Sequence, residues 1–155
     1  MKKTLKISGK EITISEDVYQ YVKNHKDFEK EDLVRGVIIY NEKGEHYLLA
    51  VETDQQCCEC CGFDSITYGS QLPIEYKGSK GYEPEFELMI EIDENSELIP
   101  FLEDVGQGRL ISIRVYHKVA PDNAIYFGWA FNVQNGYYGH TVLLKDDKYV
   151  HEEII

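Results

Sequence analysis

Leu33-Val34-Arg35-Gly36-Val37-Ile38-Ile39-Tyr40, then Asn41-Glu42-Lys43-Gly44-Glu45, then Tyr47-Leu48-Leu49-Ala50-Val51, is the stretch that decides the fold. Two runs of β-branched and aliphatic residues flank a short segment containing Asn and Gly, the composition of a β-hairpin. Towards the N-terminus, Leu5, Ile7, Ile12 and Ile14 around Ser8-Gly9 predict a second, smaller hairpin. Between the two, Ser15 is placed to cap a short helix. Glu16 and Asp17 fall in its first turn, and Val18, Tyr21 and Val22 make an apolar stripe. Residues 27–32 read as a charged connector.

Towards the C-terminus, residues 71–84 are irregular, punctuated by Pro73, Gly78, Gly81 and Pro84. Phe86, Leu88, Ile90 and Ile92 alternate with polar neighbours as one face of a strand. Residues 96–104 allow one or two helical turns, limited by Pro100. Leu110 to Val119 and Ile125 to Val133 flank Pro121-Asp122-Asn123 as a further hairpin. A last strand begins near Gly139 and runs through Leu144, with Tyr149-Val150 pairing behind it. The sum is a single α+β domain over residues 1–155, mainly an antiparallel, twisted sheet with one short N-terminal helix.

A chain of 155 residues is long enough to bury a core without staples. No apolar run approaches the ~20 residues of a membrane span, and the charged N-terminus lacks the apolar stretch of a secretory signal. The expectation is a cytoplasmic protein with reduced thiols. Net charge is −12, unevenly spread: residues 1–50 carry 9 basic and 9 acidic side chains, and residues 51–155 carry 7 and 19. Between Gly81 and Gly108 there is no Lys or Arg against nine acids. Such a field repels nucleic acid and attracts basic protein surfaces.

All four cysteines sit in Cys57-Cys58-Glu59-Cys60-Cys61, beside Gly62, where a turn is the natural setting. Two overlapping Cys-x-x-Cys pairs result, Cys57/Cys60 and Cys58/Cys61, a spacing that brings two sulfurs to one Zn²⁺ at ~2.3 Å. Neighbouring side chains diverge, so two or three of the four are expected to bind, with completion from elsewhere. Of the five histidines, His25 and His151 read as solvated, His46 as too distant along its strand, and His117 as a surface or packing residue. His140 stands in a glycine-rich turn at a strand end and is the favoured partner. The alternatives are a cluster with no specific role and redox-active or regulatory thiols. The negative charge of Glu59 between the pairs works against reactive thiolate, and no strand-to-helix context of a thioredoxin-like motif is present. The reading favours structural zinc. No nucleophile elbow, phosphate loop or zinc-protease pattern appears, so a catalytic role is not expected.

Alternate residues of a strand lie ~6.6–6.8 Å apart, so on the strand of residues 86–92 Glu85, Glu87, Glu91 and Asp93 share one face as a row of carboxylates at near-regular intervals. Glu94 and Glu97 follow it in the cation-free stretch and join it as expected contacts. One reading is a solvated sheet face; the other is a mimic of a phosphate backbone that a partner would grip. Core and cross-strand packing accounts for most of the aromatics of the C-terminal half, Tyr126, Phe127, Trp129 and Phe131 among them, while exposed tyrosines would suit a protein interface.

Cys57-Cys58 directly after a strand, together with Asn135-Gly136-Tyr137-Tyr138-Gly139-His140, resembles small domains common in phages and prophages. In those the vicinal pair tends to be followed by serine and tryptophan, where this chain has Cys60, Cys61 and Phe63. A small acidic chain with a cysteine cluster is also similar to anti-CRISPR inhibitors of type II RNA-guided nucleases. That resemblance implies a non-enzymatic inhibitor that binds a basic CRISPR nuclease and blocks nucleic-acid loading, since such nucleases hold their heteroduplex in a positively charged channel. Zinc would then be structural. Glu85, Glu87, Glu91, Asp93, Glu94 and Glu97 are the expected contacts. The competing expectations are a thiol redox enzyme or switch, and a phage accessory domain without inhibitory role.

Overall fold

The computed structural model of the chain describes residues 2–8, 11–54, 59–68, 74–77, 85–94, 107–118, 122, 124–134, 139–146 and 150–155. In chain order the elements are β1 (Lys2–Ser8), β2 (Glu11–Ser15), α1 (Tyr19–Val22), β3 (Val34–Asn41), β4 (His46–Glu52) and β5 (Glu59–Thr67). There follow β6 (Ile74–Lys77), β7 (Glu85–Glu94), β8 (Gln107–His117), β9 (Ala124–Gln134), β10 (Thr141–Asp146) and β11 (Val150–Ile154).

The 33–51 stretch forms its hairpin, with Val37 opposite Leu49 and Tyr40 opposite His46. Asn41 shapes the loop. Its side-chain oxygen accepts from the backbone N–H of Lys43 and of Glu45, both at 3.0 Å. Gly44 takes φ 83°, a conformation open to glycine without a Cβ clash.

All described strand pairs are antiparallel, but they build two sheets rather than one. One has five strands in the order β1-β7-β8-β9-β5. The other has six, in the order β11-β10-β4-β3-β2-β6. Their inner faces meet across one core: Ile7, Phe86, Ile111, Ile113 and Val115 from the first sheet, Ile12, Ile14, Ile39, Leu49 and Val142 from the second. Burying such a side chain stabilises by ~1.5–3 kcal/mol, so period-two alternation on both sheets is the main force joining them. The outer face of the six-stranded sheet carries a second core, in which Val18, Val22 and Phe28 cover Val34, Ile38, Leu48, Ala50 and Leu143.

Three local readings change. The N-terminal hairpin does not form. β1 pairs with β7 and β2 with β3 and β6, so Leu5 and Ile7 approach the shared core from one sheet and Ile12 and Ile14 from the other. The helix is a single turn, Tyr19–Val22, without a side-chain cap. Ser15 ends β2 instead, its hydroxyl accepting from Asp17 N at 3.2 Å. Glu16 lies outside the helix, and its Oε1 accepts the hydroxyls of Ser65 and of Tyr126 (2.8 Å for the latter), bridging the two sheets. Finally, residues 74–77, read as irregular, form β6 on the outer side of β2. The helical turns expected over residues 96–104 lie outside the described residues. No helix among the described residues is long and apolar enough to cross a membrane.

Candidate functional site

The outer face of the five-stranded sheet is built by a simple alternation in β9: Phe127-Gly128-Trp129-Ala130-Phe131. Gly128 and Ala130 take the inward positions because the inner side is already full. A Cβ on Gly128 would lie 2.8 Å from both Phe63 Cζ and the Tyr126 hydroxyl. The register therefore sends the three large aromatics outward. Phe127 and Trp129 rings sit 5.2 Å apart, and Trp129, Phe131 and Cys60 pack over the buried Leu110. On the neighbouring strand, Ile66 is 46% exposed, and Tyr68, just past its end, is 52% exposed. The result is a continuous, half-exposed aromatic surface. Sequence reasoning assigned these aromatics to packing. The large-small alternation of residues 127–131 was the available signal that they face out.

Across β8 the same face carries Arg114, whose guanidinium lies 5.4 Å from the centroid of the Tyr116 ring. Tyr116 donates its hydroxyl to the Glu87 carboxylate. Burial foremost, then Glu87, pushes its phenol up, opposed by Arg114. Tyr68, Arg114, Asp122, Ala124 and Phe127 line a pocket of about 480 Å³.

The expected carboxylate row stands on β7, but its setting differs from the linear sequence. The stretch that lacks cations along the chain meets them in space: register sets Lys6 opposite Glu87 and Lys2 opposite Glu91 on one flank, and Arg109 opposite Glu94 on the other. Glu87 is half-buried and engaged by Tyr116. Glu85, Glu91, Asp93 and Glu94 are placed on β7 by the backbone, and Glu97 lies outside the described residues.

The cysteines are not all in a turn. Cys60 and Cys61 belong to β5, opposite Val133 and Asn132. Adjacent strand residues point to opposite faces, and these do: Cys60 joins Leu110, Trp129 and Phe131 outside, while Cys61 is buried. The two sulfurs cannot ligate one ion while β5 keeps its ladder. Cys57 and Cys58 lie outside the described residues. Among the described residues no group of three or more His, Cys, Asp or Glu gathers as a metal site.

His140 does come near the cysteine strand. Asn132, the register partner of Cys61, donates from Nδ2 to the Ile155 carbonyl at 3.1 Å, and that carbonyl also accepts His140 N at 2.9 Å. The imidazole, only 2% exposed, turns to Glu52. Nδ1 faces the Glu52 carbonyl oxygen at 3.0 Å and Oε2 at 2.9 Å. Two acceptors at Nδ1 assign the proton there, the arrangement a ligating histidine adopts when it binds through Nε2. The donor chemistry of His140 thus suits zinc, but the described cysteines do not converge on it. Glu52, Asp27, Thr141 and His140 line a cleft of about 520 Å³, in which Thr141 donates to Asp27 Oδ2 at 3.1 Å. Of the remaining histidines, His25, read as solvated, instead faces Glu152 Oε1 at 2.5 Å, and His117 packs edge-on against Phe86.

No protein-family model, curated protein or solved structure matches this chain.

Proposed function

We propose that this chain is a non-enzymatic binding protein that docks on a basic, nucleic-acid-binding protein and blocks its loading, as its likeness to anti-CRISPR inhibitors of type II RNA-guided nucleases implies. The observation that carries the reading is the outer face of the five-stranded sheet. Half-exposed Phe127, Trp129 and Phe131 run on into exposed Ile66 and Tyr68, in a chain of net charge −12. Aromatic side chains at the centre with charge at the rim are the usual anatomy of a protein interface. The carboxylates of β7 supply long-range attraction to a basic partner, and the aromatics supply the desolvated contact. Zinc, in this reading, is structural, with Cys57 or Cys58 among its ligands.

The test is binding to a type II RNA-guided nuclease, with and without guide RNA, measured by interferometry at two salt concentrations. Ile66→Ala with Tyr68→Ala changes two exposed side chains and should weaken binding about tenfold or more. Lysine at positions 85, 87, 91 and 93 should slow association and flatten its salt dependence. No binding by the wild-type chain, or unchanged affinity in both variants, overturns the proposal.

A further inference from the structure

We propose that β5 is an edge strand open to strand addition, and that its occupant is an extended, basic segment of the partner. This rests on the docking reading above and gives it a mode.

Four strands end the two sheets: β1, β5, β6 and β11. Sheet edges present unpaired backbone groups and are ordinarily guarded by charge or brevity. β1 carries Lys2, Lys3 and Lys6 in seven residues; β11 carries His151, Glu152 and Glu153 in five; β6 is only four residues long. β5 is nine residues long and carries two charged residues, Glu59 and Asp64. It is the longest edge and the least guarded.

Hydrogen-bond phase shows which groups face outward. Tyr68 N–H donates to Ile125 O at 3.1 Å, continuing the β5–β9 register. Alternation then directs the N–H groups of Ile66 and Asp64 to β9, and those of Phe63, Ser65 and Thr67 away from it. Ser65 agrees independently: its N–H is taken by Asp64 Oδ1 at 2.8 Å. No described strand pairs with β5 on that side. An incoming strand would replace the Asp64 carboxylate at Ser65 N–H and release that carboxylate to a cation. Exposed Ile66 and Tyr68 offer apolar cover for lysine or arginine stems. A second copy of this chain fits poorly, because each brings net charge −12 and a second Asp64 to the same edge.

The probe is an acetylated octapeptide of alternating lysine and valine, titrated into the full chain and followed by amide hydrogen exchange in NMR. The expected result is slowed exchange at Phe63, Ser65 and Thr67, with β1, β6 and β11 unaffected. Thr67→Pro removes an outward N–H but no β5–β9 bond, and should weaken peptide binding at least tenfold. Ile66→Lys, on an exposed side chain, should weaken it independently of any folding defect in the proline variant. Unchanged exchange, an equal response to an alternating glutamate-valine peptide, or protection that grows with protein concentration alone (a second copy) overturns the inference. The two proposals fail separately. A nuclease bound equally by wild type and by Thr67→Pro removes strand addition and leaves docking; peptide protection without nuclease binding does the reverse.

Discussion

Tyr126→Phe deletes one hydroxyl from the junction where β2, β5 and β9 meet, and its cost can be worked from the geometry. Tyr126 is fully buried, and its hydroxyl donates to Glu16 Oε1 at 2.8 Å, the same oxygen that accepts from Ser65. A hydrogen bond to a charged group stabilises by ~1.5–3 kcal/mol net. Glu16 is partly exposed and keeps Ser65, so the low end applies, about 1.5 kcal/mol. Glu16→Ala removes both bonds and leaves the buried Tyr126 hydroxyl with Ser65 alone, which should cost about 3 kcal/mol. The double variant should be little worse than Glu16→Ala alone, giving a coupling of about 1 kcal/mol. Urea unfolding at neutral pH reads all three.

Alkaline pH provides a second readout. Burial first, then the Glu16 carboxylate, raises the Tyr126 phenol above its ordinary value of 10.0. The folded value lies above the unfolded one, so this stabilisation is complete below pH 10 and is lost as pH climbs beyond it. Each such tyrosine removes about 1.4 kcal/mol per pH unit. Tyr47, raised by burial and by Asp146, and Tyr116 shift in the same direction. Tyr126→Phe should therefore flatten the alkaline slope by about 1.4 kcal/mol per pH unit while Tyr47 and Tyr116 maintain the rest. A loss under 0.5 kcal/mol at pH 7 with an unaltered alkaline slope would refute the bridge between sheets.

Two further outcomes are expected. Gly36→Ala, on β3 opposite Ala50, would put a Cβ 2.0 Å from the Leu49 carbonyl oxygen, a backbone atom that cannot yield; thermal and urea unfolding should show about 3 kcal/mol of destabilisation, and a loss under 1 kcal/mol contradicts that close approach. Metal analysis should find about one zinc per chain, absent from Cys57→Ser with Cys58→Ser and retained in Cys60→Ser, whose sulfur sits with Leu110 and Trp129; zinc-free wild type, or loss with Cys60→Ser alone, refutes the structural-zinc reading.

Local alternation was legible wherever one face of a strand is buried. Residues 33–51, 86–92, 110–119 and 125–133 all became strands near the expected limits, because apolar residues two apart have a core to meet. Partnering was less legible. Leu5-Ile7 and Ile12-Ile14 look like a hairpin by proximity, yet each pair joins a different sheet and the two meet across the same core. The Cys-x-x-Cys spacing suggested a turn, and pairing with β9 made residues 59–61 strand instead. Glu52 as the partner of His140 left no sequence signal, since the two lie 88 positions apart.

The sequence alone determined that this chain is predominantly antiparallel β with one short helix, that it is strongly acidic, and that its thiols cluster. Those properties depend on composition and on periods of a few residues, which are written locally. Only the tertiary structure decided that there are two sheets, that lysines and arginines of β1 and β8 stand in register beside the cation-free stretch of β7, that Cys60 and Cys61 face apart, and that the aromatics of β9 look outward beside β5, which ends its sheet among the described strands. These depend on which strands pair and in what register, and that is set by the competition of all apolar faces for one core.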